Sequence, residues 1–177
     1  MKHSSTEARG PSRASEPEPP YNWLSETERG ALGCPILGGP ASLARLSADL
    51  TPEDFSCPAH GAIFRALQSL AAQGLPLELH LLAYELGKRG DLLRTQELLP
   101  ELVRAAIVPA LDGYMQVIRE HAIRRRGIDA ARRLAEALRD PTCVPESCIQ
   151  THCAHLNEIV EAPARLSVVR PGGRDAA

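Results

Sequence analysis

The segment from Asp112 to Arg139 limits what this chain can fold into more than any other. As a helix, its roughly 28 residues would span about 42 Å. A globule of about 90 residues, which is what lies before it, has a radius of gyration near 12 Å and a diameter of roughly 30 Å. The helix must outrun the globule. Its apolar stripe also changes side along its length. Leu111, Met115, Ile118 and Ala122 share one face, whereas Ile128, Ala131, Leu134, Ala135 and Leu138 lie nearly opposite, with the switch at Arg124-Arg125-Arg126-Gly127. The first half is expected to pack on the globule and the second half on something else.

Part of that something follows in the chain. Asp140-Pro141-Thr142 and Pro145 read as a turn, and residues 146–161 as a second helix striped by Ile149, Cys153, Leu156 and Val160. Two antiparallel helices projecting from a globule still leave apolar surface on their outer sides. A second copy of the same hairpin would cover it. The expected self-association residues are Ile128, Ala131, Leu134, Leu138, Ile149, Leu156 and Val160, in a homodimer or a higher ring.

Upstream the chain is dense with helix punctuation. Ser25 and Glu28 fit a capping box. Thr51-Pro52-Glu53-Asp54 supplies a cap, a first-turn proline and acids at a helix start. Pro58 opens a helix striped by Ile63, Leu67 and Leu70 and closed by Gly74; Leu77 to Arg89 forms another, closed by Gly90. Gln96 to Ile107 reads as one more, and Pro35 as an interruption of the first. Strand signals are lacking. The fold class is therefore all-α: a helical globule over 22–110, then a projecting antiparallel hairpin over 111–162 belonging to the same domain. Residues 1–21 and 163–177, rich in proline or glycine and poor in anything to bury, read as disordered tails.

Composition narrows the function. A net charge of −2 and a pI near 6.3 argue against a general electrostatic grip on nucleic acid. Aromatic residues are only 3%, too few for a base-stacking platform. No apolar run approaches the roughly 18 residues of a membrane span. Lys2 has no apolar stretch behind it to make a signal peptide. Five cysteines, an odd number, do not read as a disulfide framework, and a reducing cytoplasm is the expected location.

Gly33 to Gly39 is glycine-rich but lacks the Lys-Ser/Thr pair of a phosphate loop, so no catalytic residue or bound cofactor is expected. His60, three residues after Cys57, reads as a hydrogen-bonded core histidine. Cys143, Cys148 and His152 are weak candidates for a zinc site. Cys148 and His152 share a helix face, but the spacing matches no standard motif, and Cys153 on the apolar stripe packs as a small hydrophobe. The arginines around Arg125, Arg126, Arg132 and Arg133 are interleaved with Glu120, Asp129 and Glu136. That mixture reads as a charged face for a protein partner, touching DNA only indirectly.

From Leu50 to Leu92 the residues Leu50, Asp54, Phe55, His60, Ile63, Phe64, Leu70, Gly74, Pro76, Leu86, Arg89, Gly90 and Leu92 stand in a recognisable order. Glu26, Glu28, Leu32 and Gly33 extend it upstream, and Tyr114, Val117, Arg119, Glu120, Ala122 and Arg125 downstream. In order and spacing this resembles the N-terminal domain of DnaB-type replicative DNA helicases, over roughly residues 22 to 161. Gly30 and Gly127 depart from the better helix formers of that family, and Glu78 from its Asp. The resemblance implies an assembly and docking module without the RecA-like motor, which self-associates and binds primase or the full-length replicative helicase. The rival readings are a nucleic-acid-binding or zinc-stabilised regulator and a truncated helicase remnant.

Overall fold

In the computed structural model, which describes residues 22–161, the chain is helical throughout, and no strand occurs among the described residues. The two expected tails lie outside those residues. The order is α1 (Trp23–Asp49), α2 (Pro58–Ala72), α3 (Leu79–Lys88), α4 (Leu92–Thr95), α5 (Leu99–Ala105), α6 (Leu111–Arg139) and α7 (Pro145–Glu161), with 3-10 turns at Pro52–Asp54 and Val108–Ala110.

Helix α1 is the centre, packed on α2, α5 and α6. Asn22 caps it, its side-chain oxygen accepting the Ser25 amide at 3.1 Å. Ser25 is therefore not the cap, and Glu28 turns into the core instead of back to the helix start. Nor does the helix stop at Pro35. It breaks at Gly39 (φ 73°, ψ −167°), because the residue before Pro40 is pushed off the helical region and glycine alone takes a positive φ at no steric cost. Gly33 sits so close to α5 that a Cβ there would lie 1.9 Å from the Leu102 carbonyl oxygen, and a Cβ on Gly30 would lie 2.8 Å from the Tyr114 ring. Close helix approach, not sequence drift, explains both glycines.

The core is Leu32, Leu46, Ile63, Phe64, Leu67, Leu70, Leu82, Leu86 and Leu102, each contributing about 1.5–3 kcal/mol by leaving water. Phe55 leans on Phe64 with ring centroids 5.3 Å apart. The expected helix over 96–107 is shorter: residues 96–98 are a turn, and only α5, Leu99–Ala105, is helical. Pro100 falls in the first turn of α5, where a missing N–H costs nothing. Helix α3 is pinned to α2 by Glu85, which accepts from the Ser69 hydroxyl at 2.8 Å and from Lys88 and Arg89 at 3.1 Å.

Helix α6 is 29 residues long. Leu111, Met115, Ile118 and Ala122 bury its first half on the globule, as their shared face requires. Its second half projects, and α7 packs back along it.

Candidate functional site

Three features of the hairpin bear on function: its seam, its two broad faces and its elbow against the globule. The seam of α6 is Ile123, Gly127, Ala130, Leu134 and Ala137, spaced at four, three, four and three residues, with Ala130 fully buried. On α7 the seam is Cys148, His152, Leu156 and Ile159, the last 6% exposed. This corrects two expectations. Leu134 and Leu156 pack within the hairpin, while Ile149 and Cys153 face out; the Val160 side chain lies outside the described ones.

At about 100° per residue, Ile128, Ala131, Ala135 and Leu138 stand roughly a quarter turn or more from the seam of α6. Ile149 and Cys153 stand turned from the seam of α7 in the same rotational sense. In an antiparallel pair, equal rotation in the same sense leads to the same side. Ile128 (47% exposed), Leu138 (43%) and Ile149 (43%) therefore line one mainly apolar face, with Val144 (63%) at the tip and Arg124 and Asn157 towards the globule. The opposite rotation brings Arg133 beside Thr151, His152 and His155 on the other face, where the four line one shallow depression. The hairpin thus has an apolar side and a polar side.

Among the four arginines expected to meet a partner, the structure separates two pairs. Arg125 donates to the carbonyl oxygens of Asp54 at 2.7 Å and Glu53 at 3.3 Å, and Arg126 pairs with the Asp54 carboxylate. Both are turned inward, and they latch α6 to the Pro52–Asp54 turn. Asp54 also accepts from the Thr51 amide at 2.6 Å and the Thr51 hydroxyl at 2.9 Å. The far end of that turn is held by Glu28, which accepts from the Ser56 amide and bonds His60 Nδ1, each at 2.6 Å. Burial raises the Glu28 carboxyl pKa, but the His60 and Ser56 hydrogen bonds outweigh it and leave the group below the usual range. His60 and Glu28 are both buried, so this histidine is a structural partner. Arg132 and Arg133 remain exposed. Arg132 reaches Asp129 at 3.4 Å, whereas Arg133 makes no ion pair among the described residues.

At the tip, Cys148 Sγ lies 3.8 Å from His152 Nδ1, and the Cys143 thiol is pushed up first by burial and then by Cys148. His152 Nδ1 also contacts the Cys148 carbonyl oxygen at 2.9 Å, which fixes its proton on that nitrogen and takes it away from any ion. Among the described residues, no group of three or more His, Cys, Asp or Glu is placed to hold a metal ion. The glycine-rich stretch Gly33 to Gly39 lies within α1, not in a loop that could wrap a phosphate.

The model of the family described as the DnaB-like helicase N-terminal domain matches residues 18–120. The chain belongs to that family. A curated relative, the replicative DNA helicase DnaB of Geobacillus stearothermophilus, is 34% identical over 114 residues. Those residues are 63% of this chain and 25% of the relative, so the chain spans about a quarter of that protein's length. Two solved structures share the fold. The N-terminal domain of DnaB helicase from Mycobacterium tuberculosis superposes with a TM-score of 0.68 at 24% identity, covering 80% of this chain and 99% of that one. The N-terminal domain of DnaB helicase from Helicobacter pylori, described together with its interactions with primase, gives 0.59 at 21%, covering 64% and 90%.

The DnaB-family match ends inside α6, so the seam and faces of the hairpin rest on this chain's own side chains. The signal for Ile159 was present in the sequence, since Cys148, His152, Leu156 and Ile159 recur at helical spacing. Two of the four are a cysteine and a histidine, and a search for apolar stripes passes them over. The exposed Trp23, packed edge-on against His121 at 4.8 Å, also escaped it.

Proposed function

We propose that this chain is a non-catalytic assembly and docking module of DNA replication. Its hairpin pairs with a second copy through the apolar face, and Arg133 on its polar face, with Arg132 on the adjoining outer edge of α6, meets a protein partner, either primase or the full-length replicative helicase. The observation that carries this reading is the segregation of the hairpin: Ile128, Leu138, Val144 and Ile149 exposed on one side and tip, charged and polar groups on the other. Exposed apolar surface gathered on one face marks an interaction site, whereas single scattered residues do not. Family membership and the primase interaction described for the Helicobacter pylori domain support the choice of partner. Support for a non-catalytic role comes from the match being to the N-terminal domain alone. No described helix is long and apolar enough to cross a membrane.

Titration calorimetry against primase and against the full-length helicase tests the docking half. Binding to one of them, weakened at least tenfold by Arg132→Glu with Arg133→Glu and unchanged by Arg45→Glu on the globule, is expected. Binding to neither would overturn it. Sub-micromolar DNA affinity lost with the same two arginines would transfer the face to nucleic acid.

A further inference from the structure

We propose that Cys143 and Cys148 form a reversible disulfide, making the hairpin tip a modification site for low-molecular-weight disulfides. Helix α7 starts at Pro145, and the Val144 carbonyl accepts the Cys148 amide at 3.0 Å, so Val144 is the N-cap. Cys143 is then the residue before the cap and Cys148 the fourth of the helix. Those two positions are the ones whose side chains meet in a hydrophobic staple, the contact that fixes how a chain enters a helix. This placement puts the two thiols on the same side of the first turn of α7. Both residues are half-exposed and open to a small reagent; Cys34 is buried in the core, and the accessible Cys57 and Cys153 lack a cysteine at the paired position of a helix start. The Cys143 thiol is pushed up by its burial and then by Cys148 and Asp140, which holds it back from the first attack.

The chemistry balances with oxidised glutathione as the co-reactant. The Cys148 thiolate attacks one glutathione sulfur, forming a mixed disulfide and expelling one glutathione thiolate, which takes up a proton. Cys143 then loses its proton and attacks the Cys148 sulfur, expelling the second glutathione. Two cysteine thiols give up two electrons and two protons, and one glutathione disulfide becomes two thiols. The product ties the inter-helix turn to the first turn of α7 and fixes Val144 and Ile149, which flank the cysteines. Its effect on assembly rests on the proposed self-association; the disulfide itself does not.

The test incubates the full chain in glutathione buffers of stepped ratio, traps free thiols by alkylation and maps peptides by mass spectrometry. The expected product has lost two hydrogens, carries a 143–148 link and keeps no glutathione at either cysteine. Cys143→Ser should accumulate glutathione on Cys148, and Cys153→Ser should oxidise like the wild type. Persistent glutathione on both cysteines of the wild type, or cross-links between chains through either one, would overturn the proposal. Stoichiometric zinc shielding both from alkylation would do the same. Light scattering of the oxidised and reduced protein then reports separately whether assembly follows the bond.

Discussion

Glu28 and His60 show how much one buried pair can hold. Both are cut off from water, and Glu28 also fixes the Ser56 amide, so the pair joins α1, α2 and the turn that receives α6. Removing one partner leaves the other polar and unpaired. His60→Ala and Glu28→Gln are each expected to cost about 3–5 kcal/mol in urea denaturation. A loss under 1 kcal/mol would mean that the pair is not buried as described. The pH dependence has a definite sign. A carboxyl held below its unfolded value contributes fully above about pH 4.3 and loses that contribution as pH falls through the folded value. Glu85, lowered to about 2 by the Ser69 hydroxyl, Lys88 and Arg89, acts the same way. Stability should be flat with respect to these two groups near neutrality, then fall between pH 4.3 and 2, and the fall should shrink in Glu28→Gln. The glycines divide as sharply. Gly33→Ala must displace the α5 backbone and should destabilise severely, whereas a Cβ on Gly127, at the loosely packed base of the seam, meets nothing within 4 Å among the described residues, and Gly127→Ala should stabilise by about 1 kcal/mol in the same assay. Sequence alone cannot tell a glycine kept for close approach from one merely tolerated, because the difference lies in which backbone passes beside it.

Among the elements, α2, α3 and the near half of α6 were legible because each carries an uninterrupted apolar stripe between clear stops. Helix α1 was only partly so. Pro35 looked like the break, yet the chain turns at Gly39, where glycine and the following proline act together. The seam of α7 was hidden by its polar members, Cys148 and His152, and the visible stripe through Ile149 and Cys153 proved to be the outer one. This reassignment has a measurable consequence. Leu134→Asp or Ile159→Asp puts a charge in the seam and should open the hairpin, speeding amide exchange along α7 while the globule stays protected. Leu138→Asp on the outer face should leave that exchange slow in every conformation the hairpin retains. Equal effects from both would erase the distinction between seam and face.

At the scale of the whole molecule, the globule holds one half of α6 and presents the other. Arg125 and Arg126, which looked like partner contacts, are the latch that sets the angle of presentation. Their inward turn could not be read from spacing, since the Glu53 and Asp54 carbonyls that Arg125 reaches and the Asp54 carboxylate that Arg126 reaches lie some seventy residues away in sequence. What projects is a two-sided hairpin, and we propose that a second copy covers its apolar side. Multi-angle light scattering at tens of micromolar tests this most directly, on the wild type and on Ile128→Asp with Leu138→Asp. A wild-type dimer or closed ring, and a folded monomer when both charges are introduced, is the expected result. A monomeric wild type at that concentration would contradict it.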